Sequence, residues 1–110
     1  MGWPLAFVLS WQPTRFEAAA AVHDLERTLE RLQALGYAGV ELAVRDPAMV
    51  PVPRLRSLLE RYALRIPAIG TGQAWVEEGL SLTHPDAVVR RAALARLEAH
   101  LELAAEWGSL

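Results

Sequence analysis

The fold is decided by Gly39-Val40-Glu41-Leu42-Ala43-Val44, near the middle of the 110-residue chain. The large apolar residues of this stretch alternate with Glu41 and Ala43, which is the period-two pattern of a β-strand with two different faces. Gly36 lies just before it and predicts the end of a helix, while Asp46-Pro47 lies just after it and predicts a loop. The strand therefore lies between two helical segments, as strands of a parallel α/β sheet do.

Upstream of this stretch, the sequence predicts one strand and one long helix. Leu5–Ser10 is a compact apolar run, which suits a parallel strand buried on both faces. Thr14 and Glu17 have capping-box spacing and predict the start of the helix. The helix has one apolar stripe with steps of three and four residues: Ala18, Val22, Leu25, Leu29 and Leu32.

Downstream, a second and shorter helix is followed by a third strand. Ala63 stands where a helix-ending glycine would be expected. The third strand is predicted over Ile66–Ile69, and Pro67 restricts it because proline cannot donate to a ladder and fits only near a strand start or at an edge. The apolar stripe of the second helix consists of Leu55, Leu58, Leu59 and Tyr62.

The last segment is predicted to be a glycine-rich loop and then a long helix. Thr83 and Asp86 have the capping spacing, and the helix is expected from about Pro85 to Trp107. Its core stripe is predicted to be Leu94, Leu97, Leu101 and Ala104. The resulting order βαβαβα predicts one α/β domain over residues 1–110.

Composition narrows the class of protein. Hydrophobic residues are 53% and charged residues 22% of the chain, which predicts a folded globular protein. With 11 Arg, no Lys and 13 acidic residues the charge is balanced, so we expect no nucleic-acid partner. The absence of Cys excludes disulfides and thiolate sites, and the absence of Asn is typical of a thermophilic source. Trp3–Trp11 is too short to span a bilayer, so we expect a cytoplasmic protein without membrane contact.

The strands have one face of large residues and one of smaller residues. In the first strand, the large residues Leu5, Phe7 and Leu9 share one face, and Ala6, Val8 and Ser10 share the other. If the large faces pack under the helices, the small residues and Glu41 line the opposite face, as inside a closed barrel where space is tight. A doubly wound sheet would instead need helices on both faces. The pattern alone leaves both architectures open.

Three segments carry a family resemblance: Leu35-Gly36-Tyr37-Ala38-Gly39-Val40-Glu41-Leu42, Ala68-Ile69-Gly70-Thr71-Gly72-Gln73 and Gly79-Leu80-Ser81-Leu82-Thr83-His84-Pro85-Asp86. Together they resemble the N-terminal part of the sugar-phosphate isomerase/epimerase family, the xylose-isomerase-like TIM barrels, over nearly the whole chain. The resemblance implies a βαβαβα parallel segment of a TIM barrel with three strand–helix units, and hence an incomplete barrel.

The resemblance also implies an activity and a ligand. The complete family enzyme is a metal-dependent sugar or sugar-phosphate isomerase/epimerase, and its divalent metal is held by residues from strands in the second half of the barrel. This sequence has no counterpart of those strands, so no metal ligand and no cofactor is assigned in this chain. A small sugar or sugar phosphate is the implied ligand, and this chain alone is expected to be inactive.

TIM-barrel chemistry takes place at the carboxyl ends of the strands, which selects a few candidate substrate-binding residues. Glu41, on the inner face of the second strand, could bind a sugar hydroxyl or form a structural hydrogen bond to a neighbouring loop. Thr71, Gly72 and Gln73 follow the third strand and could contact a polar substrate, although loop formation alone also explains the glycine. Trp11 ends the first strand and could wall a sugar pocket or be buried at the rim.

Other polar residues are expected to have ordinary roles. His23, His84 and His100 fall on helices away from the strand ends, and we interpret them as surface or core residues rather than as metal ligands. Glu77 and Glu78 form an adjacent pair in the long loop, and we interpret them as solvated charges rather than as an acid–base pair.

Two other functions remain open. One is non-catalytic: a self-associating α/β module or gene remnant that forms a homo-oligomer through exposed sheet edges, because an open parallel sheet leaves its edges unpaired. The other is an apurinic-site endonuclease of the same superfamily, which acts in DNA repair. It is disfavoured because its relatives place a metal-binding His at the end of the third strand, where this chain has Gly70 and Thr71.

Overall fold

The fold is seen in a computed structural model that describes residues 2–12, 20–21 and 24–109. The predicted capping box at Thr14 and Glu17, the stripe positions Ala18 and Val22, and His23 lie outside the described residues. The strands are β1 (Ala6–Ser10), β2 (Ala20–Ala21), β3 (Gly39–Ala43) and β4 (Ile69–Gly70).

Helices follow three of these strands. They are α1 (Leu25–Ala34), α2 (Val52–Arg61), α3 (Gln73–Glu78) and α4 (Ala87–Glu106), with a 3-10 turn at Pro47–Met49. Neighbouring strands pair in parallel in the order β2-β1-β3-β4. The predicted α/β class is confirmed: β1, β3 and β4 are parallel and alternate with helices, and the two-residue β2 is an additional edge strand that was not predicted. Among the described helices, none combines the length and apolar character needed to cross a bilayer.

The first helix begins later than predicted. Ala20–Ala21, inside the predicted helix, pairs in parallel with the end of β1 at the edge of the sheet. α1 begins at Leu25 because Asp24 caps it, its carboxylate accepting a hydrogen bond of 3.1 Å from the Arg27 N–H. A cap further along the chain and a β pairing therefore override the helical pattern upstream.

The third strand is shorter and later than the predicted Ile66–Ile69. Pro67 has no N–H to donate, and ladder pairing with β3 occurs at Ile69–Gly70. Before it, Gly39 and Arg65 form an isolated parallel bridge. A Cβ at position 39 would lie 2.4 Å from the Arg65 carbonyl oxygen, so this close approach requires glycine.

The core stripes of α1 and α2 are confirmed wherever they are described. Gly36 ends the first helical segment with a φ of 83°, and Ala63 takes a φ of 51° at the position where a glycine was expected. Tyr62 packs at the border of the core. The central buried side chains come from α1, α2 and the strands: Leu9, Leu25, Leu29, Leu32, Val40, Leu42, Val44, Leu55, Leu58 and Leu59.

The predicted core stripe of α4 is wrong. Leu94 and Leu101 are 51% and 64% exposed, and the buried residues of the helix are Ala93, His100 and Leu103. Thr83 is not the cap, because the Asp86 carboxylate accepts from the Val88 N–H at 2.8 Å. The helix is therefore rotated so that its less apolar side meets the sheet.

Candidate ligand-binding face

The sheet has two faces of different character. Val40, Leu42 and Val44 point under the helices and have no solvent exposure. The opposite face, called the open face below, is formed by the side chains of Ala6, Val8, Ser10, Glu41 and Ala43. Val8 lies beside Glu41 in the ladder and is 40% exposed, so the middle of this face is accessible. The expectation that the large residues pack under the helices, with Glu41 opposite, is therefore met in β3 and at Leu9, but it is wrong for Leu5, which precedes β1 and is 60% exposed.

Glu41 projects from the centre of β3 over the neighbouring strand. Its Oε1 atom lies 3.7 Å from the point where a Cβ at residue 70 would be, so Gly70 leaves room beside the carboxylate. Within the described ranges, no hydrogen bond or ion pair reaches this carboxylate. The structural hydrogen bond to a loop, which the sequence left as an alternative, does not occur in that part of the chain. The carboxylate can therefore accept hydrogen bonds from a ligand.

Gln73 extends the open face at the carboxyl ends of the strands. Its side chain is only 3% exposed, and its Nε2 donates to Ser10 Oγ at 2.8 Å. Ser10 Oγ donates in turn to the Gln12 carbonyl oxygen at 2.6 Å. The Gln73 Oε1 atom is buried and accepts no hydrogen bond from any described residue. A buried amide oxygen without a donor raises the free energy of the folded state.

The end of β1 is tied to the loop that follows β3. Gln12 Oε1 accepts from the Arg45 N–H at 2.8 Å, and its Nε2 donates to the Asp46 carbonyl oxygen at 3.1 Å. The Trp11 indole N–H donates to the Met49 carbonyl oxygen at 3.1 Å. The Trp11 ring is partly buried against the core and its only polar side-chain atom already has a partner, so Trp11 has a structural role in the described part of the chain.

Thr71 and Gly72 do not lie with Glu41 and Gln73 on the open face. Both line a pocket of about 170 Å³ between α3 and α4, together with Arg96 and His100. Of these three candidate substrate-binding residues that follow the third strand, Gln73 alone contacts Ser10 on the open face. The described structure thus brings Glu41 and Gln73 to one face of the sheet and places Thr71 and Gly72 beside a different pocket.

The expectation that His100 lies away from the strand ends is wrong. Its imidazole is buried between two carbonyl oxygens, with Nε2 2.7 Å from Val44 O and Nδ1 2.8 Å from Arg96 O. It therefore links α4 to the end of β3. The signal in the sequence was the helical spacing of Ala93, His100 and Leu103, in which a polar side chain shares a face with small and apolar ones.

Glu78 was expected to be a solvated loop charge, and this is also wrong. It ends α3 and forms a two-pronged ion pair with Arg96, at 2.6 Å and 3.2 Å. The hydrogen bonds from Arg96 lower the pKa of the Glu78 carboxyl, and partial burial opposes this effect. Arg96 also donates to the Arg45 carbonyl oxygen at 2.9 Å. The pair therefore fastens α3 and α4 to the loop after β3.

The described residues do not fit the divalent metal that the family resemblance implies. No group of three or more His, Cys, Asp or Glu side chains converges in the described ranges. Glu41 is a single carboxylate, and both ring nitrogens of His100 already face main-chain carbonyl oxygens. We therefore derive no chemical step through a metal.

The sequence was compared with protein-family models and with curated proteins. No family model matches the chain, and no curated protein shows a significant match to it. A function for this chain is therefore inferred from the geometry of the open face and from the resemblance of three sequence segments to the sugar-phosphate isomerase/epimerase family.

Proposed function

We propose that this chain is the N-terminal, three-unit part of a sugar or sugar-phosphate isomerase/epimerase with a xylose-isomerase-like TIM-barrel fold, and that its open face forms one wall of the sugar site. The observation that carries this proposal is the Glu41 carboxylate on that face, which has no hydrogen-bond donor among the described residues.

The chemistry of these groups suits a polyhydroxylated ligand. Sugar hydroxyls donate hydrogen bonds to carboxylate and amide oxygens, and the carbon–hydrogen faces of a sugar pack on small apolar side chains. Val8 and Ala43 flank Glu41 and Ser10 across the ladder and supply such apolar surface. Gly70 leaves a space about the size of a methyl group beside the carboxylate, because a Cβ on residue 70 would be in ordinary contact with Glu41 Oε1, at 3.7 Å.

The role of these residues is binding and orientation. Glu41 would accept a hydrogen bond from a sugar hydroxyl, and Gln73, which is bonded to Ser10, would support the carboxyl end of the face that the sugar contacts. A TIM-barrel site takes groups from several strands among eight, so three units supply one wall. We therefore expect weak sugar binding by this chain and no isomerisation.

The test is a ligand-observed NMR experiment, saturation-transfer difference, on the full chain with a panel of aldoses, ketoses and their phosphates. We expect transfer to at least one sugar, and about tenfold weaker binding in Glu41→Ala, because a hydrogen bond to a charged group is lost. Glu30→Ala, which removes an exposed carboxylate on α1, is the matched control and should bind like the wild type. Equal loss in both variants, or no transfer to any sugar, would reject the proposal.

A further inference from the structure

His100 is a titratable side chain that is buried in the helix layer, where it is only 2% exposed. Its Nε2 atom lies 2.7 Å from the main-chain oxygen of Val44, just after β3. Its Nδ1 atom lies 2.8 Å from the main-chain oxygen of Arg96, one turn earlier in α4. The ring therefore stands between two atoms that can only accept hydrogen bonds.

A neutral imidazole cannot satisfy both contacts of His100. It carries one N–H, and its other nitrogen presents a lone pair. Whichever tautomer forms, one lone pair would face a carbonyl oxygen at 2.7 Å or 2.8 Å, which is repulsive. The doubly protonated ring donates to both oxygens, and hydrogen bonds from a charged donor are shorter and stronger than neutral ones. The geometry therefore fits the imidazolium ion, whose two hydrogen bonds offset the cost of burying a charge.

The charged groups around His100 do not provide another partner for the ring. On α4, the Arg96 guanidinium is held in the two-pronged ion pair with Glu78 of α3. From the loop after β3, Arg45 lies 3.9 Å from the same carboxylate, and Asp46 lies within electrostatic range of Arg96. The other described residues that line the pocket beside His100 are uncharged. Within the described ranges no carboxylate contacts the ring, so the two main-chain oxygens are the groups that hold its charge.

We propose that His100 is a pH-sensitive link: as the imidazolium ion it fastens α4 to the end of β3, and loss of its proton releases that attachment. Only the folded chain holds the two oxygens in place, so protonation and folding support each other. The stabilising contribution is therefore present in mildly acidic solution, and it is lost as the pH rises and the folded chain gives up the proton. The link lies in the helix layer and does not depend on the proposed sugar site.

The link reaches the sheet through Val44. The Val44 N–H donates to the Gly70 carbonyl oxygen at 3.0 Å, so the residue that His100 holds is also bonded to the end of β4. Release of His100 should therefore loosen the pairing between the ends of β3 and β4. The Val44 amide reports this change, because hydrogen exchange is faster where a hydrogen bond opens more often.

The first test observes the ring in the wild-type full chain. In protein labelled with ¹⁵N, NMR correlations between ring hydrogens and ring nitrogens show which nitrogens carry a hydrogen. The His100 signals are identified by their absence from His100→Gln, or by elimination with His23→Gln and His84→Gln. We expect both His100 nitrogens to carry hydrogens in mildly acidic solution and one to lose its hydrogen as the pH rises. A ring that is neutral at every pH from about 5 to 8 would overturn the proposal.

The second test compares urea unfolding midpoints of the wild type and His100→Gln over the same pH range. Gln can donate to one of the two oxygens and does not titrate, so the advantage of the wild type should shrink as the pH rises. His84→Gln is the matched control, because His84 Nδ1 accepts from the Asp86 N–H at 3.0 Å and loses that bond when it is protonated. This variant should leave the shrinkage intact. A wild-type advantage that stays constant or grows with pH would contradict the link.

The third test is hydrogen exchange at the Val44 amide, corrected for the intrinsic pH dependence of exchange. We expect protection of this amide to fall with rising pH in the wild type and in His84→Gln, and to stay constant in His100→Gln. Protection that falls equally in all three proteins would show that another group causes the change, and the proposed role of His100 would be wrong. None of these measurements uses a sugar, so their outcome is separate from that of the proposed function.

Discussion

The two faces of the sheet come from the same strands but have opposite properties. On the covered face, Leu9 and Leu42 have no exposure and lie next to each other in the ladder. The preceding pair in the same ladder, Val8 and Glu41, lies on the open face, and Val8 is 40% exposed. Residues that hold the fold together and residues that can contact a ligand therefore alternate along a single strand.

The largest expected effect comes from truncating a side chain on the covered face. Leu42→Ala should lower the free energy of unfolding by about 2–5 kcal/mol, because it leaves a cavity under the helices. Val8→Ala, on the open face of the adjacent strand, should lower it by less than about 1 kcal/mol, because Val8 is already partly in water. Urea unfolding monitored by circular dichroism measures both. Similar losses would show that the open face is packed in solution and would contradict the comparison.

A second prediction concerns two glycines at the two ends of the sheet. Gly39→Ala should destabilise the protein by about 1–3 kcal/mol, because the new Cβ would be 2.4 Å from the Arg65 carbonyl oxygen. Gly72→Ala is the control, since no atom lies within 4 Å of a Cβ there and its φ is −59°. It should be neutral or slightly stabilising. If thermal denaturation gives the same shift for both, the close strand approach at Gly39 is not present.

The sequence predicted most of the covered face correctly. β3 and the stripe of α1 follow simple periods, and the helix end at Gly36 follows from its left-handed conformation. Ala63 shows that position outweighs residue preference, because it takes the same conformation without being a glycine. These features depend on local pattern and on burial of large apolar residues, both of which can be read from one chain.

The errors arise where burial does not follow hydrophobicity. α4 buries His100 because its ring lies 2.7 Å from the carbonyl oxygen of Val44, whereas the more apolar Leu94 and Leu101 remain exposed. A period analysis selects leucines and cannot anticipate a contact between residues 56 positions apart. α3 was missed because six residues are too few to show a helical period. At the candidate site, the position of Glu41 on the open face was predicted from the alternation of residues in β3. The hydrogen bond between Gln73 and Ser10 joins residues 63 positions apart and can be seen only in the folded chain.

A third and smaller effect is expected at the boundary between the helix layer and the loop after β3. Glu78→Gln should lower stability at neutral pH by at most about 1 kcal/mol, because the ion pair with Arg96 is partly exposed. The pKa of Glu78 is lowered by Arg96, so the contribution is present above the unfolded-state pKa and is lost as the pH falls through the folded-state value. Unfolding curves for both proteins should therefore converge in acid. A difference in unfolding free energy that grows in acid would contradict a stabilising ion pair between Glu78 and Arg96.

The smallest effect is expected for Glu41 itself. Glu41→Gln should change the free energy of unfolding by less than about 0.5 kcal/mol, because its carboxylate has no partner in the described residues. A loss of 1 kcal/mol or more in a chemical denaturation experiment would reveal a structural partner. Glu41 would then belong with the residues that hold the fold together, and the open face would lose its main candidate ligand group.

Sugar binding at the open face is tested most directly by a titration of the isotope-labelled full chain, followed by backbone amide NMR, with a sugar that gives a saturation-transfer signal. We predict that the shifts concentrate at Glu41, Gly70 and Gln73 on the open face, and that about tenfold more sugar is needed to produce them in Glu41→Ala. Shifts confined to other surfaces, such as the pocket between α3 and α4, or an unchanged midpoint in the variant, would contradict the claim that the open face is the ligand site.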